Sequence, residues 1–217
     1  MSNVLVWFHN DLRLGDNPAL VKAIESGNKV IPIYIWDEKD SDLHTGSAGK
    51  WWLHQSLDRL SNRIEELGNK LVLRKGNPKS IIEEFVSQNN ISKIFMNRRF
   101  EPQIIVRDEE ILGQIDHEIT NGNLLFDPED IRTKQDKQYT VFTPFWRNCK
   151  MQTEPHEPLA IPSEIPAPDK FPESLSLDEM GLLPKINWYE TFEKKWRPGE
   201  EEANRILVHF LKSEARK

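Results

Sequence analysis

The segment VLVWFHNDLRLGDNPAL, residues 4–20, opens with five apolar residues and then runs directly into a polar stretch that starts at His9. The apolar run predicts a strand that is buried on both faces. Asp16 or Asn17 then precedes Pro18, a pattern typical of a capped helix start. The turn between them lacks the glycine-rich loop that holds phosphate in most nucleotide-binding βα turns. The segment therefore predicts a βα unit whose turn is not built to bind phosphate.

The same alternation of strand and helix patterns continues to about residue 127. Short apolar runs rich in β-branched and aromatic residues alternate with amphipathic helices, which is typical of right-handed βαβ units. The predicted strands are NVLVWFH (3–9), KVIPIYIWD (29–37), KLVLR (70–74), KIFMN (93–97) and NLLFD (123–127). We predict a doubly wound, mostly parallel five-stranded sheet, Rossmann-like, with helices on both faces.

Capping and breaking residues predict four helices between these strands. Ser47 is the predicted N-cap of the second helix, and Gly27 and Gly68 are the predicted stops of the first and second. The third helix is expected to start at 77–78. The fourth is expected to start near Pro102 and to carry apolar residues as far as Ile119.

The pattern changes after residue 130. YTVFTPFWRNCK (139–150) is an aromatic segment, and residues 151–200 contain eight of the fourteen prolines. This density favours an extended, irregular linker. Its aromatic residues indicate that it packs against another part of the protein. An amphipathic helix follows Pro198, and a lone helix of this kind needs a partner. We expect an α/β domain (1–130), an aromatic segment with a proline-rich interdomain linker (131–198), and the first helix of a missing helical domain (199–217).

Composition excludes several classes of protein. The chain has 29 basic and 35 acidic residues, a net charge of −6 and 37% hydrophobic residues. The hydrophobic content is too high for a disordered chain, and the apolar runs are too often interrupted to span a membrane. The start MSNVLVWF lacks the features of a signal peptide, and the single cysteine suits a reducing compartment, so we predict a cytoplasmic protein. The six scattered histidines show no metal-ligand spacing, and we expect no metal.

Polar residues follow the predicted strands and form the expected ligand-binding rim. In open parallel sheets, ligands bind beyond the carboxyl ends of the strands. Aromatic, cationic and carboxylate groups here favour a planar, partly anionic small molecule such as a flavin or pterin. The predicted rim residues are Asn10, Trp36, Asp37, Lys50, Asn97, Arg98, Arg99 and Arg107.

Several of these features also have a structural interpretation. Asp11, Arg13 and Asp16 are interpreted as an ion-paired, capped turn that holds the first helix in place. The rim arginines suit either ligand contacts or salt bridges to nearby carboxylates. Trp51 and Trp52 are interpreted as core or domain packing.

Several segments together resemble the DNA photolyase and cryptochrome family. The opening segment is similar to the family pattern R-x-D-L-R-x-x-D-N, with His9 where an arginine is usual. The similarity continues through GKWWLHQSLDRL (49–60), KLVLRKGNP (70–78), MNRRFEP (96–102), the aromatic segment, GLLPKINW (181–188) and WRPGEEEANRILVHFL (196–211). The resemblance is strongest to bacterial class I photolyases that repair cyclobutane pyrimidine dimers.

The resemblance implies a light-harvesting role. In that family an N-terminal α/β domain holds an antenna chromophore, which is a reduced folate, a deazaflavin or a flavin, and which passes excitation energy to FAD. Lys50 lies where an arginine is usual near the antenna, and Glu101 matches an acid of deazaflavin-binding members, so Glu101 joins the predicted rim. Arg99 replaces an acid of those members and Ile104 a glutamate of folate-binding members. Neither antenna pattern is therefore complete.

The resemblance also places FAD, catalysis and most lesion contacts in an all-helical C-terminal domain. We therefore expect no catalytic residue in this chain and no repair activity from it alone. Damaged DNA is the expected partner of the full-length protein, and the FAD domain is expected in cis or in trans. The alternatives are a fragment of a cryptochrome-type blue-light photoreceptor and a free-standing chromophore- or nucleotide-binding module.

Overall fold

Five parallel strands form the centre of the protein. The computed structural model describes residues 2–38, 45–113, 115–152 and 156–213. The strands are β1 (Asn3–Phe8), β2 (Lys29–Trp36), β3 (Val72–Lys75), β4 (Ile91–Asn97) and β5 (His117–Thr120). They lie in the order β3-β2-β1-β4-β5, and every neighbouring pair is parallel. The predicted doubly wound, five-stranded sheet is confirmed.

Two helices cover each face of the sheet. Helices α1 (Pro18–Glu25) and α2 (Ser47–Glu66) pack on one face, and α3 (Pro78–Gln88) and α4 (Pro102–Leu112) pack on the other. Successive side chains of β1 alternate between the two cores that result. Because both faces of the sheet are buried, the central strands are almost continuously apolar, which explains why the sequence predicts them.

The starts of α1 and α3 follow the predicted capping pattern. The Asn17 side chain accepts a hydrogen bond from the backbone N–H of Leu20 at 3.2 Å, and Asn77 accepts one from Ser80 at 3.1 Å. The predicted cap of α2 is wrong. The N-cap is the residue before Ser47, a glycine in extended conformation, so Ser47 already lies in the first helical turn.

The fifth strand lies earlier in the sequence than predicted. NLLFD (123–127) is not a strand, and HEIT (117–120) instead pairs with the end of β4. Helix α4 ends at Leu112, because Gly113 turns the chain with a φ of 37°, a value that L-residues rarely adopt. Ile119 therefore belongs to β5 and not to the fourth helix.

The described residues after 130 contain three helices and pack on the sheet domain. They are α5 (Phe142–Gln152), α6 (Glu190–Lys195) and α7 (Glu200–Ser213). The first two were not predicted: α5 contains most of the aromatic segment, and α6 lies within the proline-rich linker. The region packs on the α/β domain, because Ile165, Met180 and Leu182 are buried in the core beneath α1 and α2.

Two kinds of feature are absent from the described residues. No helix there has the length and apolar character needed to cross a membrane. No group of three or more histidine, cysteine, aspartate or glutamate side chains in that part of the chain is placed to hold a metal ion.

Candidate functional site

The strand order reverses between β1 and β4, and this reversal forms a crevice at the carboxyl edge of the sheet. The chain runs from β1 outward through β2 and β3 on one side, whereas β4 and β5 lie on the other side. Ligands of open parallel sheets bind in such crevices. The residues that follow β1, β2 and β4 therefore form the candidate site.

A buried polar network joins the two halves of the sheet at this edge. The Asn97 side-chain amide donates to Asp11 Oδ2 at 2.6 Å and to Asn17 Oδ1 at 2.9 Å. The Asn97 carbonyl accepts from the Thr120 hydroxyl at 2.7 Å, and Asp11 Oδ1 accepts from the backbone N–H of His9 at 2.8 Å. The four side chains of this network are buried, so an unmade hydrogen bond is costly. The network holds the crevice in shape.

The turn between β1 and α1 is fixed by contacts with backbone atoms. The Arg13 guanidinium donates to the carbonyl oxygens of Asp16, at 2.8 Å, and Gly122. Asp16 has a left-handed φ of 49°. Its backbone N–H donates to the Leu159 carbonyl at 2.8 Å, and its side chain accepts from the Leu159 N–H at 3.2 Å. Arg13 and Asp16 therefore connect the turn to two later segments of the chain.

A carboxylate from α7 binds backbone N–H groups of the turn after β1, where other βα turns bind phosphate. Glu200 accepts hydrogen bonds from the backbone N–H groups of Leu14 and Gly15, both at 2.8 Å. Neighbouring N–H groups of this kind attract anions, and here the anion belongs to the same chain. A Cβ at Gly15 would lie 2.6 Å from a Glu200 oxygen, so the absence of a side chain permits the approach.

We predict that Glu200→Ala releases α7 from this turn. Losing two charge-assisted hydrogen bonds costs about 2 kcal/mol, so amide hydrogen exchange at Leu14 and Gly15 should accelerate by roughly tenfold or more. Glu201→Ala is the matched control, because Glu201 is exposed and pairs with Arg63 only at 3.4 Å. Equal exchange rates in the two variants would contradict the anchoring role of Glu200.

An open cavity of about 780 Å³ lies between this turn, the end of β2, α2 and α7. We call it the rim cavity. Its aromatic lining consists of Tyr34, Trp36 and Trp52, and Asn10 adds a polar group. The Lys50 ammonium lies 5.8 Å from the centre of the Trp36 ring, within cation–π range. The volume and the mixture of aromatic and polar groups are typical of small-molecule sites.

The tyrosine of the rim cavity stays protonated. Burial raises the pKa of Tyr34 well above its ordinary value of 10, and the positive charge of Arg99 opposes this shift only in part. The phenol is therefore a hydrogen-bond donor at neutral pH.

A second cluster lies on the opposite face of the sheet, at the ends of β1 and β4. Arg99 donates to both carboxylate oxygens of Asp108, from Nε at 2.8 Å and from Nη2. The Arg99 guanidinium lies 5.7 Å from the Trp7 ring centre, and the Trp7 and His9 ring centres are 4.4 Å apart. Arg107 Nη2 lies 3.5 Å from Asp108. Burial, and then the charges of the two arginines, hold the pKa of His9 well below its usual range, so its ring is neutral at pH 7.

Comparison with known proteins identifies the family. The family model described as DNA photolyase matches residues 4–168. The chain belongs to the DNA photolyase family. A deoxyribodipyrimidine photo-lyase from Agrobacterium fabrum is 39% identical over an alignment of 214 residues, which covers 96% of this chain and 44% of that protein. Cryptochrome-2 from Arabidopsis thaliana is 30% identical over 222 residues, covering 97% of this chain and 36% of that protein.

A solved relative has the same fold as this photolyase-family chain. A bacterial class III photolyase from Agrobacterium tumefaciens superposes with a TM-score of 0.90 at 36% identity, covering 98% of this chain and 45% of that one. The predicted family is confirmed. The solved relative is described as class III, whereas the sequence motifs indicated class I. The chain spans less than half the length of these relatives.

The structure separates most of the predicted rim residues into three groups. The rim cavity is lined by Asn10 and Trp36, and Lys50 lies beside it over the Trp36 ring. The second cluster contains Arg99 and Arg107, and the buried network contains Asn97. The predicted rim is therefore not one continuous surface. Its cationic side chains lie on both faces of the sheet, and the Asn97 amide belongs to the buried network.

The other three predicted residues lie outside these groups. Arg98 forms ion pairs with Asp127 at 3.4 Å and Glu129 at 3.1 Å, toward the β5 side. Glu101 is the N-cap of α4, and its carboxylate accepts from the backbone N–H of the preceding residue at 3.2 Å. Asp37 follows β2 directly but is not among the described residues that line the rim cavity.

Sequence reasoning missed four residues of the site. Trp7 and Tyr34 resembled ordinary strand interiors, and only their position near a strand's carboxyl end distinguishes them. The available signal for His9 was its departure from the family's arginine. Glu200 gave no local signal, because its partners lie 186 and 185 residues earlier in the chain.

Proposed function

We propose that this chain is the light-harvesting domain of a DNA photolyase, and that the whole protein performs light-driven repair of cyclobutane pyrimidine dimers in DNA. The 39% identity to a deoxyribodipyrimidine photo-lyase across 96% of the chain supports the proposal. FAD and the damaged DNA are then bound by a helical domain that is joined in cis or supplied in trans. The isolated chain contributes no catalytic residue and has no repair activity.

The rim cavity is the observation that carries the antenna assignment. Its volume of about 780 Å³ and its aromatic lining suit a planar conjugated ring. Lys50 beside Trp36 suits an electron-rich or anionic edge of that ring. A reduced folate, a deazaflavin and a flavin all have this character. Such a pigment, when bound, absorbs near-ultraviolet or blue light and passes the excitation energy to FAD.

The residues of this chain supply a fixed position for the pigment. The buried network centred on Asn97 holds the end of β1, and Glu200 holds α7, which forms one side of the rim cavity. A binding site on rigid elements with supporting hydrogen bonds keeps its ligand in one orientation. Trp36 and Trp52 would cover the faces of the pigment, and Lys50 would orient its edge.

We also propose the division into an α/β domain (1–130), a packed linker (131–198) and the first helix of the FAD domain (199–217). The apolar side chains of α7, including Phe210 and Leu211, are about half exposed, as suits a helix that another domain covers. The single cysteine, Cys149, agrees with a cytoplasmic location.

A cryptochrome-type photoreceptor is the second candidate, because Cryptochrome-2 is 30% identical across 97% of the chain. The rim cavity would hold an antenna in either protein. The discriminating assay supplies the helical domain and measures light-dependent restoration of a dimer-containing oligonucleotide. Restoration identifies a photolyase, and a light-induced flavin response without restoration identifies a photoreceptor.

We predict that Trp36→Ala weakens binding of a flavin or reduced folate by about 10- to 50-fold, because stacking and cation–π contacts contribute roughly 1.4–2.3 kcal/mol. Trp36→Phe should retain most of the affinity. Fluorescence titration of the pigment measures both. Trp146→Ala is the control, because this exposed tryptophan stacks on Phe142 of α5 and does not line the rim cavity. Wild-type affinity in Trp36→Ala would show that the pigment binds elsewhere.

A further inference from the structure

Three buried polar atoms without protein partners lie together at the carboxyl edge. Both ring nitrogens of His9 and the indole nitrogen of Trp7 are shielded from solvent and have no hydrogen-bond partner among the described residues. The two rings pack against each other with centres 4.4 Å apart. An unpaired buried donor or acceptor costs about 1–3 kcal/mol, and native proteins contain few of them. Three such atoms in one cluster indicate that a further chemical group binds beside them.

Two arginines, which share the carboxylate of Asp108, lie beside the same point. The guanidinium carbon of Arg99 lies 5.7 Å from the Trp7 ring centre, and both Arg99 and Arg107 act electrostatically on His9. An indole N–H, an imidazole N–H and guanidinium N–H groups are all donors, and together they complement an oxyanion. His9 as a whole is partly exposed at the rim, although its ring nitrogens are shielded from solvent.

We propose that Trp7, His9, Arg99 and Arg107 form an anion-binding subsite for a carboxylate or phosphate group. The subsite lies where β1 and β4 end, beside the reversal of strand order. Arg99 also acts on Tyr34 of the rim cavity, so its charge reaches both places. The anion is either a free ion or the anionic tail of a molecule bound in the rim cavity.

Anion binding and protonation of His9 reinforce each other. In the free protein, burial and the two arginines keep the pKa of His9 low, and the described charged groups that approach the cluster are Arg99, Arg107 and Asp108. An anion beside the ring favours the imidazolium and raises that pKa. The affinity for the anion should therefore increase as the pH is lowered from neutral.

Titration of the purified chain with inorganic phosphate, with sodium chloride holding the ionic strength constant, tests this subsite. The ¹H–¹⁵N resonances of the Trp7 indole and the His9 ring report occupancy. We expect saturable shifts in the wild type. In His9→Phe, which keeps the ring packing and removes both ring nitrogens, the affinity for phosphate should fall by about tenfold or more. Arg107→Gln should have a similar effect and carries the test if His9→Phe does not fold. Arg205→Gln, an exposed arginine paired with Glu202, is the unchanged control.

The absence of saturable shifts, or equal affinity in the cluster variants and the control, would overturn the proposal. Comparing riboflavin with flavin mononucleotide then distinguishes the sources of the anion. If the subsite takes the tail of a pigment, the phosphorylated flavin binds about tenfold tighter and His9→Phe removes the difference. Equal affinities, together with phosphate binding, identify a free anion. The phosphate titration needs no pigment, so its result is independent of the antenna assignment.

Discussion

Asn97→Ala should lower the free energy of unfolding by about 4 kcal/mol. The side chain makes three buried hydrogen bonds, two as donor to Asp11 and Asn17 and one as acceptor from Thr120. Its removal leaves a buried carboxylate, an amide and a hydroxyl without that partner, and each unpaired group costs about 1–3 kcal/mol. Urea denaturation measures the loss as a lower transition midpoint with an unchanged slope.

Asn123→Ala is the matched control for this prediction. Its side-chain amide donates to the Arg98 carbonyl at 2.8 Å in an exposed position, so its loss should cost less than about 0.5 kcal/mol. Gly122→Ala tests the same network by another route, because a Cβ there would overlap the Asn97 amide. A cost below about 1 kcal/mol for Asn97→Ala would show that the network does not hold the two halves of the sheet together.

Asp108→Ala should cost about 3–5 kcal/mol, because removing one member of a buried ion pair leaves the other charge uncompensated. The side chains of Arg99 and Asp108 are 12% and 6% exposed, and the pair is bidentate. The expected result is therefore a large decrease in the urea midpoint. An added anion should partly replace the missing carboxylate, so phosphate should stabilise Asp108→Ala more than it stabilises the wild type.

Glu110→Ala is the corresponding control. Glu110 lies on the same helix as Asp108 and pairs on the surface with Lys79 of α3 at 2.7 Å. Such exposed pairs contribute little to stability. This variant should unfold at nearly the wild-type midpoint and should respond to phosphate like the wild type. Equal losses of stability in the two variants would contradict the structural importance of the buried pair.

The parts of the fold that the sequence predicted are those with strong local signals. β1 and β2 are buried on both faces and therefore appear as continuous apolar runs, and α1 has both an asparagine cap and a proline at its first position. β5 was missed because this short edge strand is polar in sequence, with only Thr120 buried. α5 was missed because its segment was interpreted only as an aromatic cluster, although its Pro144 lies in the first turn, where proline is tolerated in a helix.

The candidate site was predictable only as a general location. Parallel strands bring their carboxyl ends to one edge, so the sequence correctly placed Trp36 and Asn97 there. It could not show that the Trp36 side chain would line a cavity while that of Asn97 would be buried in the scaffold. Nor could it pair Glu200 with a turn more than 180 residues earlier, because that contact depends on how α7 packs. Distances between elements, and not residue types, decide these roles.

The most direct test of the central claim is an absorption and fluorescence titration of the purified, folded chain with a reduced folate, a deazaflavin and a flavin. We predict that at least one of them binds saturably with shifted near-ultraviolet or blue bands, and that Trp36→Ala weakens this binding while Trp146→Ala does not. A folded chain that takes up none of the three pigments would contradict the assignment of the rim cavity as an antenna site.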